Sequence, residues 1–429
     1  MPQTYKIACS GYADNTAGSL AGASFLILSE LLERGFEIDF YGWKGFNEPQ
    51  LSKYENFRFI AVPENSQLKV FLETLPKPLK KSFSPLIHQL FIIPSNYRIM
   101  GKNILKNHQT EKYKFLLFLG FPAPFKTEEL PIISWLQGST LAEWFYIQKL
   151  KDIIISLCGA ILYFKLMVFY AIKGSRIKEA RKNSNILICG SQWSKQQLIS
   201  EGVNSESIRV LPYPIDLDLF KFNGISSNKK SGEPKVFLWL GRCDPRKRLD
   251  LLLKASELVL RERKDIYIKI FGKLRYAEGY KQLIDKFEFP DHLSYETRIE
   301  RSAIPALMAE CDFLIQPSEG EDFGSSVAEA LCAGLPVIVG PTNGTKDFIS
   351  PSSFVFNSYN AESLKETMLQ AVEALEKNKE KLALDARQTA EKNFSIANVV
   401  DSLQEIFQEA IALNQLSSSG QLSSSENKR

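Results

Sequence analysis

Short apolar runs recur along the chain, and between them lie longer stretches whose apolar residues repeat at helical spacing, with glycine and proline marking many of the joins. Residues 5–9 form one such run, 24–34 have helical spacing, Gly35 is a stop, and 36–41 form the next run. This predicts a βαβ opening. Buried strands are then predicted at 114–120, 131–137, 185–189 and 208–211, with a helix at 192–201 capped by Ser191. Residues 224–234, GISSNKKSGEP, are polar and glycine-rich and read as a boundary. After it the same pattern restarts: a strand at 236–240, a helix at 249–261, a strand at 266–271, an apolar run closing at Ile315, then long helical patterns at 361–393 and 395–413. The expectation is an α/β protein with two doubly wound domains, 1–215 and 216–394. A closing helix is expected at 395–414, and the polar tail 415–429 should be disordered.

The stretch from Gln316 to Asp347 is the most informative. Pro317 to Gly324 can neither prolong the strand nor start a helix early, so the chain loops there. Ser325 and Ser326 are good helix caps, Ser326 to Glu329 has capping-box spacing, and Gly334 with Pro336 stops the helix after two to three turns. Such a helix presents free N–H groups and its positive end, which suits a phosphate or a sugar oxygen. Glu321 and Glu329 flank that end, and carboxylates accept paired hydrogen bonds from vicinal hydroxyls. The plainer reading makes Glu329 the closing member of a capping box and Glu321 a solvated loop acid.

Composition narrows the field. The chain has 429 residues, 44% hydrophobic and 24% charged, with net charge +4, an ordinary globular balance that does not point to nucleic acid. Six scattered cysteines without a CxxC pattern read as reduced thiols of a cytosolic protein, and three distant histidines offer no zinc spacing. The N-terminus lacks an apolar signal core. Asp216-Leu217-Asp218 resembles a metal-binding DxD only as a three-residue pattern and reads as a linker. Gly18 and Gly22 do not make the GxGxxG dinucleotide fingerprint.

Glu321 and Glu329, with Phe323-Gly324 between them, Pro317-Ser318 before and Ala333-Gly334-Leu335-Pro336-Val337-Ile338 after, resemble the signature of the family 4 retaining glycosyltransferases of GT-B fold. Gly241-Arg242 and Lys247 resemble that family's Gly-Arg…Lys element. The resemblance implies two Rossmann-like domains facing across a cleft and transfer of a hexose from a nucleotide diphosphate sugar, with no metal or other cofactor, to a lipid-linked or polysaccharide-precursor acceptor. It implies that Glu321 and the backbone of Phe323, Gly324 and Ser325 hold the sugar, Glu329 the ribose, and Arg242 with Lys247 the departing diphosphate. Gly18 and Ser19 fall in a loop that borders the cleft in the family. Gln137 falls where many members carry a histidine, and it can still hydrogen-bond a hydroxyl. That departure supports a rival reading, a non-catalytic GT-B subunit that binds a nucleotide or a partner enzyme. A sugar-nucleotide epimerase of the same fold is a second rival, which the family 4 pattern argues against.

Two segments bear on location. Over 69–106, seven basic side chains face the single acid Glu73 among apolar residues, a composition that suits docking at the inner face of a membrane, or an ordinary amphipathic helix. Residues 153–172 are apolar enough to be weighed as a span, but Lys165 in the interior favours a buried or membrane-surface helix.

Overall fold

The computed structural model describes residues 5–17, 19–43, 48–64, 92–138, 140–222, 233–274 and 277–418, with a few isolated positions between. Thirteen strands among them form two parallel sheets, one of seven and one of six.

The first sheet has the order β3-β2-β1-β4-β5-β6-β7. Its strands are β1 (Lys6–Gly11), β2 (Glu37–Trp43), β3 (Phe57–Val62), β4 (Leu116–Gly120), β5 (Ile132–Leu136), β6 (Ile186–Cys189) and β7 (Ile208–Val210). Between them run helices α1 (Ser19–Glu33), α2 (Ile93–Glu111), α3 (Thr140–Lys149), α4 (Lys151–Cys158), α5 (Ala160–Arg181) and α6 (Gln192–Ser200). β4, β5 and β6 are apolar and almost wholly buried, as strands covered on both faces require. Chain order reverses between β1 and β4, which opens a crevice at the strands' C-terminal ends.

The second sheet has the order β10-β9-β8-β11-β12-β13, from β8 (Lys235–Leu240), β9 (Ile266–Phe271), β10 (Leu293–Glu296), β11 (Phe313–Gln316), β12 (Val337–Val339) and β13 (Phe354–Val355). Its helices are α7 (Leu249–Glu262), α8 (Ala277–Asp285), α9 (Ile304–Ala309), α10 (Ser325–Cys332) and α11 (Ala361–Phe394). The order reverses between β8 and β11, so the two loops after those strands share one crevice. Those loops carry Arg242 to Arg248 and Pro317 to Gly324.

α12 (Ile396–Ser418) returns to the first sheet's side. Arg34, just after α1, pairs with Asp401 at 2.5 Å and donates to Gln404 at 2.8 Å, while Arg209 pairs with Glu409. Phe407 packs on Phe115 with ring centroids 4.4 Å apart. A continuous apolar core also runs through the crossing, from Tyr213, Ile215 and Phe220 to Phe323 and Phe394.

Two expectations about elements are corrected, and a third segment is described only in part. The apolar run 153–172 is two helices, because Gly159 at φ 84° separates α4 from α5, and no helix among the described residues is long and apolar enough to cross a membrane. Helix α12 continues to Ser418, past the expected start of the tail, and 419–429 lie outside the described residues. Of the basic segment, Lys69, Lys77, Lys80 and Lys81 also lie outside, whereas Arg98, Lys102 and Lys106 belong to α2, whose Met100 and Ile104 are buried in the core under β3 and β4.

Candidate functional site

The site is built where β11 ends. Gln316 is buried, and after it the chain turns through Ser318, Glu319 and Gly320 before α10 begins. The turn is clamped to the loop after β12: Gly320 N–H donates to Thr342 Oγ1 at 2.9 Å, Glu321 N–H to Thr342 O at 3.1 Å, and Gly344 N–H to Glu321 O at 2.9 Å. Phe323 anchors it in the core between domains, with Tyr213, Phe394 and Phe348 ring centroids at 4.8, 5.6 and 6.2 Å. Loop geometry is therefore set by packing and ladder-like hydrogen bonds from the Glu321 backbone, which leaves its carboxylate to face the loop after β8.

The expected serine caps of α10 do not form. Gly324, at φ 89°, is the N-cap, and no side chain caps the helix. A Cβ at that position would lie 2.9 Å from Thr345 Oγ1 and 3.0 Å from Asn343 Oδ1, so the backbone can only pass there as glycine. Ser326 instead accepts a hydrogen bond from Gln316 Nε2 at 3.1 Å, and Ser325 is partly buried at the helix's first position. Glu329 does not close a capping box either. Its carboxylate turns to Arg301, 2.8 Å away and just before α9. The helix end keeps its uncapped N–H groups, as an anion site requires.

Glu321 sits between two cations from the loop after β8. Lys247 Nζ donates to Glu321 Oε2, and Arg246 Nη1 lies 3.4 Å from the same oxygen while donating to Gly320 O at 2.9 Å. Burial alone would raise the Glu321 carboxyl, but the charges of Lys247 and Arg246, with the hydrogen bond from Lys247, outweigh it and hold it at about 2. Glu321 is thus ionised at every pH the folded protein meets. For Glu329, burial prevails over Arg301 and pushes the carboxyl above its ordinary range. The two acids of the motif have opposite electrostatic settings.

The remaining predicted residues divide. Arg242 follows β8 with its side chain 62% exposed, 3.2 Å from Asp244, so it has reach toward the crevice. Arg248 is buried at φ 51° and pairs with Glu319 at 2.7 Å and Asp250 at 3.3 Å, holding the two loops together. Gln137 is exposed at the end of β5 beside Gly138, on the opposite wall. Ser19 is exposed at the start of α1, at φ 60°, and Gly18 lies outside the described residues. Asp216 Oδ1 accepts from the N–H groups of Asp218 and Leu219 at 3.0 and 2.9 Å, a turn contact within a linker. Among the described residues no group of three His, Cys, Asp or Glu side chains stands together to hold a metal.

Three functional contacts were not read from the sequence. Arg301 lies 28 residues before its partner in a stretch without a motif. Lys149 of α3 reaches across to Glu319, and Asp322, between the motif's Glu321 and Phe323, reaches across to the first domain, where Tyr213 donates to it at 2.7 Å. Only Asp322 carried any signal, a third acid inside the signature.

Comparison with known proteins agrees with this geometry. Residues 221–392 match the family model described as glycosyl transferases group 1. The putative glycosyltransferase YtcC of Bacillus subtilis is 24% identical over 284 residues, 61% of this chain and 68% of YtcC. The alpha-monoglucosyldiacylglycerol synthase of Streptococcus pneumoniae is 26% identical over 196 residues, 43% of this chain and 44% of that one. The chain spans less than half the length of most curated relatives it matches, 45% of one and 42% of another, and 68% of YtcC. Among solved structures, Anabaena HepE in complex with UDP and glucose superposes with TM-score 0.61 at 16% identity, covering 94% of this chain and all of HepE. The chain has the GT-B fold, and the family match supports its placement among the group 1 glycosyltransferases.

Proposed function

We propose that the chain is a retaining, metal-independent hexosyltransferase of family 4, which takes a sugar from a nucleotide diphosphate donor and passes it to a lipid-linked or polysaccharide-precursor acceptor. The observation that carries this reading is the ionised Glu321 wedged between Lys247 and Arg246 beside an uncapped helix end. A carboxylate there accepts two sugar hydroxyls, and the backbone of Phe323, Gly324 and Ser325 supplies donors next to it. The diphosphate draws on Lys247 and Arg242, whose charges stabilise the leaving group as the glycosidic bond breaks. An ammonium has three donors, so Lys247 can serve Glu321 and a phosphate oxygen together. Glu329, steadied by Arg301, takes the ribose hydroxyls. Gln137, Ser19 and Gly18 contribute from the first domain, and the acceptor hydroxyl attacks from the face the diphosphate leaves.

A lipid acceptor is supported by the relative named for a glucosyldiacylglycerol product and by the surface of α5. Ile161 and Phe164, 77% and 68% exposed, stand three residues apart on its first turn, beside a depression whose charged lining residues are Lys151 and Lys165. Exposed apolar side chains ringed by lysines suit the inner, anionic face of a membrane, where the protein would act as a peripheral cytoplasmic enzyme.

Purified protein mixed with UDP-, GDP- and ADP-sugars, with and without anionic phospholipid vesicles, tests both parts. One donor should release its nucleoside diphosphate, Glu321→Gln should lose that release by about a hundredfold or more, and the product should keep the donor's anomeric configuration. Sedimentation with the vesicles should be lost in the Ile161→Glu/Phe164→Glu variant. No release from any donor by folded protein would move the reading to a non-catalytic GT-B subunit.

A further inference from the structure

The mechanism above uses Glu321 and Phe323 but not the residue between them. Asp322 points the other way, out of its own domain. Its carboxylate accepts hydrogen bonds from Ser194 Oγ and from Tyr213 OH, the latter at 2.7 Å. Its carbonyl oxygen accepts from Ser191 Oγ at 2.6 Å. All three donors belong to the first domain's side of the crevice: the β6–α6 turn, the first turn of α6 and the segment after β7.

The socket is shaped for this side chain. A Cβ at Gly138 would come 2.8 Å from the Asp322 Cβ, one at Gly190 would come 2.9 Å from the Phe323 Cβ, and one at Gly344 would meet the Asp322 carbonyl oxygen at 1.8 Å. Glycine on three sides lets the loop seat fully. The wall it enters is the N-terminus of α6, where Ser191 caps the helix by accepting from Ser194 N–H at 3.1 Å. Asp347, from the loop after β12, takes the Gln192 N–H at 3.0 Å. Two aspartates of the second domain thus dock on the positive end of one helix of the first.

We propose that Asp322 is a positioning residue, a peg by which the first domain's α6 terminus fixes the loop that holds the donor sugar, so that the Glu321 carboxylate and the Phe323–Ser325 backbone reach working geometry only when the domains are closed. The proposal rests on the reading of 321–325 as the sugar-holding loop. The loop's outer end is tied similarly, because Lys149 of α3 pairs with Glu319. Peg and strap leave Glu321 suspended between two first-domain contacts.

The test separates the peg from the chemistry. Spin labels at exposed Gln50 and Lys254, one on each domain, in a Cys158→Ser background report the interdomain distance without any substrate; the other five cysteines are buried. The expected result is one narrow distance distribution in the parent, a broader and longer one in Asp322→Ala, and near-parent behaviour in Asp322→Asn, which keeps the peg's shape. Ser194→Ala, which leaves the loop intact, should move the distribution the same way by less. With the donor identified by nucleoside diphosphate release, Asp322→Ala should lower kcat about 10- to 100-fold while nucleoside diphosphate affinity changes less than about twofold. An unchanged distance distribution in Asp322→Ala overturns the proposal, and so does a kcat loss matched by an equal loss of nucleotide affinity. If no donor is turned over by the parent protein, the transferase reading fails while the distance measurement still decides the peg.

Discussion

The two walls of the crevice are made differently. The second domain's wall is a mesh of opposite charges, with Glu321 against Lys247 and Arg246, Glu319 against Arg248, and Glu329 against Arg301. Facing it around Asp322, the first domain presents glycines and hydroxyls at Gly138, Gly190, Ser191, Ser194 and Tyr213, while its Lys149 meets the loop only at the outer end, at Glu319. The charged wall can neutralise and orient an anionic ligand within one domain. The neutral wall cannot, and what it offers is a shaped seat. On the function proposed above, the donor machinery belongs to one half of the molecule, and the other half controls when its loop is in place.

Removing a charge from the mesh should be the most damaging change. Lys247→Ala takes away a diphosphate contact and strands Glu321 in a largely buried position with Arg246 alone at 3.4 Å. The expected loss in kcat/KM for the donor is about 100- to 1000-fold, comparable to removing one strong electrostatic donor from an active site. Steady-state kinetics on the identified donor checks it. A loss under about threefold would mean that the mesh is structural and that the comparison drawn here is misplaced.

Glu329→Ala sharpens the division of labour within that wall. Its partner Arg301 would be left without a carboxylate, and the ribose contact would go with it. A cost of about 1–3 kcal/mol is expected, which is roughly a 5- to 150-fold rise in the nucleoside diphosphate Kd by titration calorimetry, with kcat changed little. A fall in kcat at constant Kd would instead place Glu329 at the reacting sugar.

The contrast between walls also explains what was legible in the sequence. Arg242, Lys247, Glu321 and Glu329 lie on two short loop–helix joins, and their spacing is local, so a linear reading finds them. The doubly wound pattern was equally plain, since buried parallel strands are short apolar runs bounded by glycine and proline. The neutral wall is assembled from residues near 138, 190 and 213, which share no spacing and have no distinctive chemistry until the fold brings them around Asp322. Caps misled for a related reason: Ser325 and Ser326 have the right residue types, but the tertiary clamp between Gly324 and the 343–345 turn puts the glycine at the cap. Gly159 was hidden inside an apolar run, where composition suggested one helix and the positive φ made two.

The smallest expected effect tests the neutral wall on its own terms. Glu321 and Asp322 are adjacent, yet burial pushes the Asp322 carboxyl up to about 6, with the Glu321 charge adding to it, although Ser194, Tyr213 and the Gly190 backbone pull it down. Among the described residues no Lys, Arg or His pairs with it. The folded chain therefore holds the Asp322 proton more tightly than the unfolded chain, whose carboxyl titrates near 3.8. Its contribution to stability is complete below about pH 4 and is lost as pH rises through about 6. Asp322→Asn, which has no charge to bury, should escape that loss. In urea unfolding the variant should gain about 1–2 kcal/mol on the parent between pH 4 and pH 7.5, a figure reduced for partial solvent access from the full linkage value. If the difference between the two proteins stays constant across that range, Asp322 is neutralised by a cation after all, and the first wall is charged like the second. If the gain appears while turnover slows, the carboxylate is kept at a cost in stability for the hydrogen bonds it makes across the cleft, which is the trade expected of a residue retained for function.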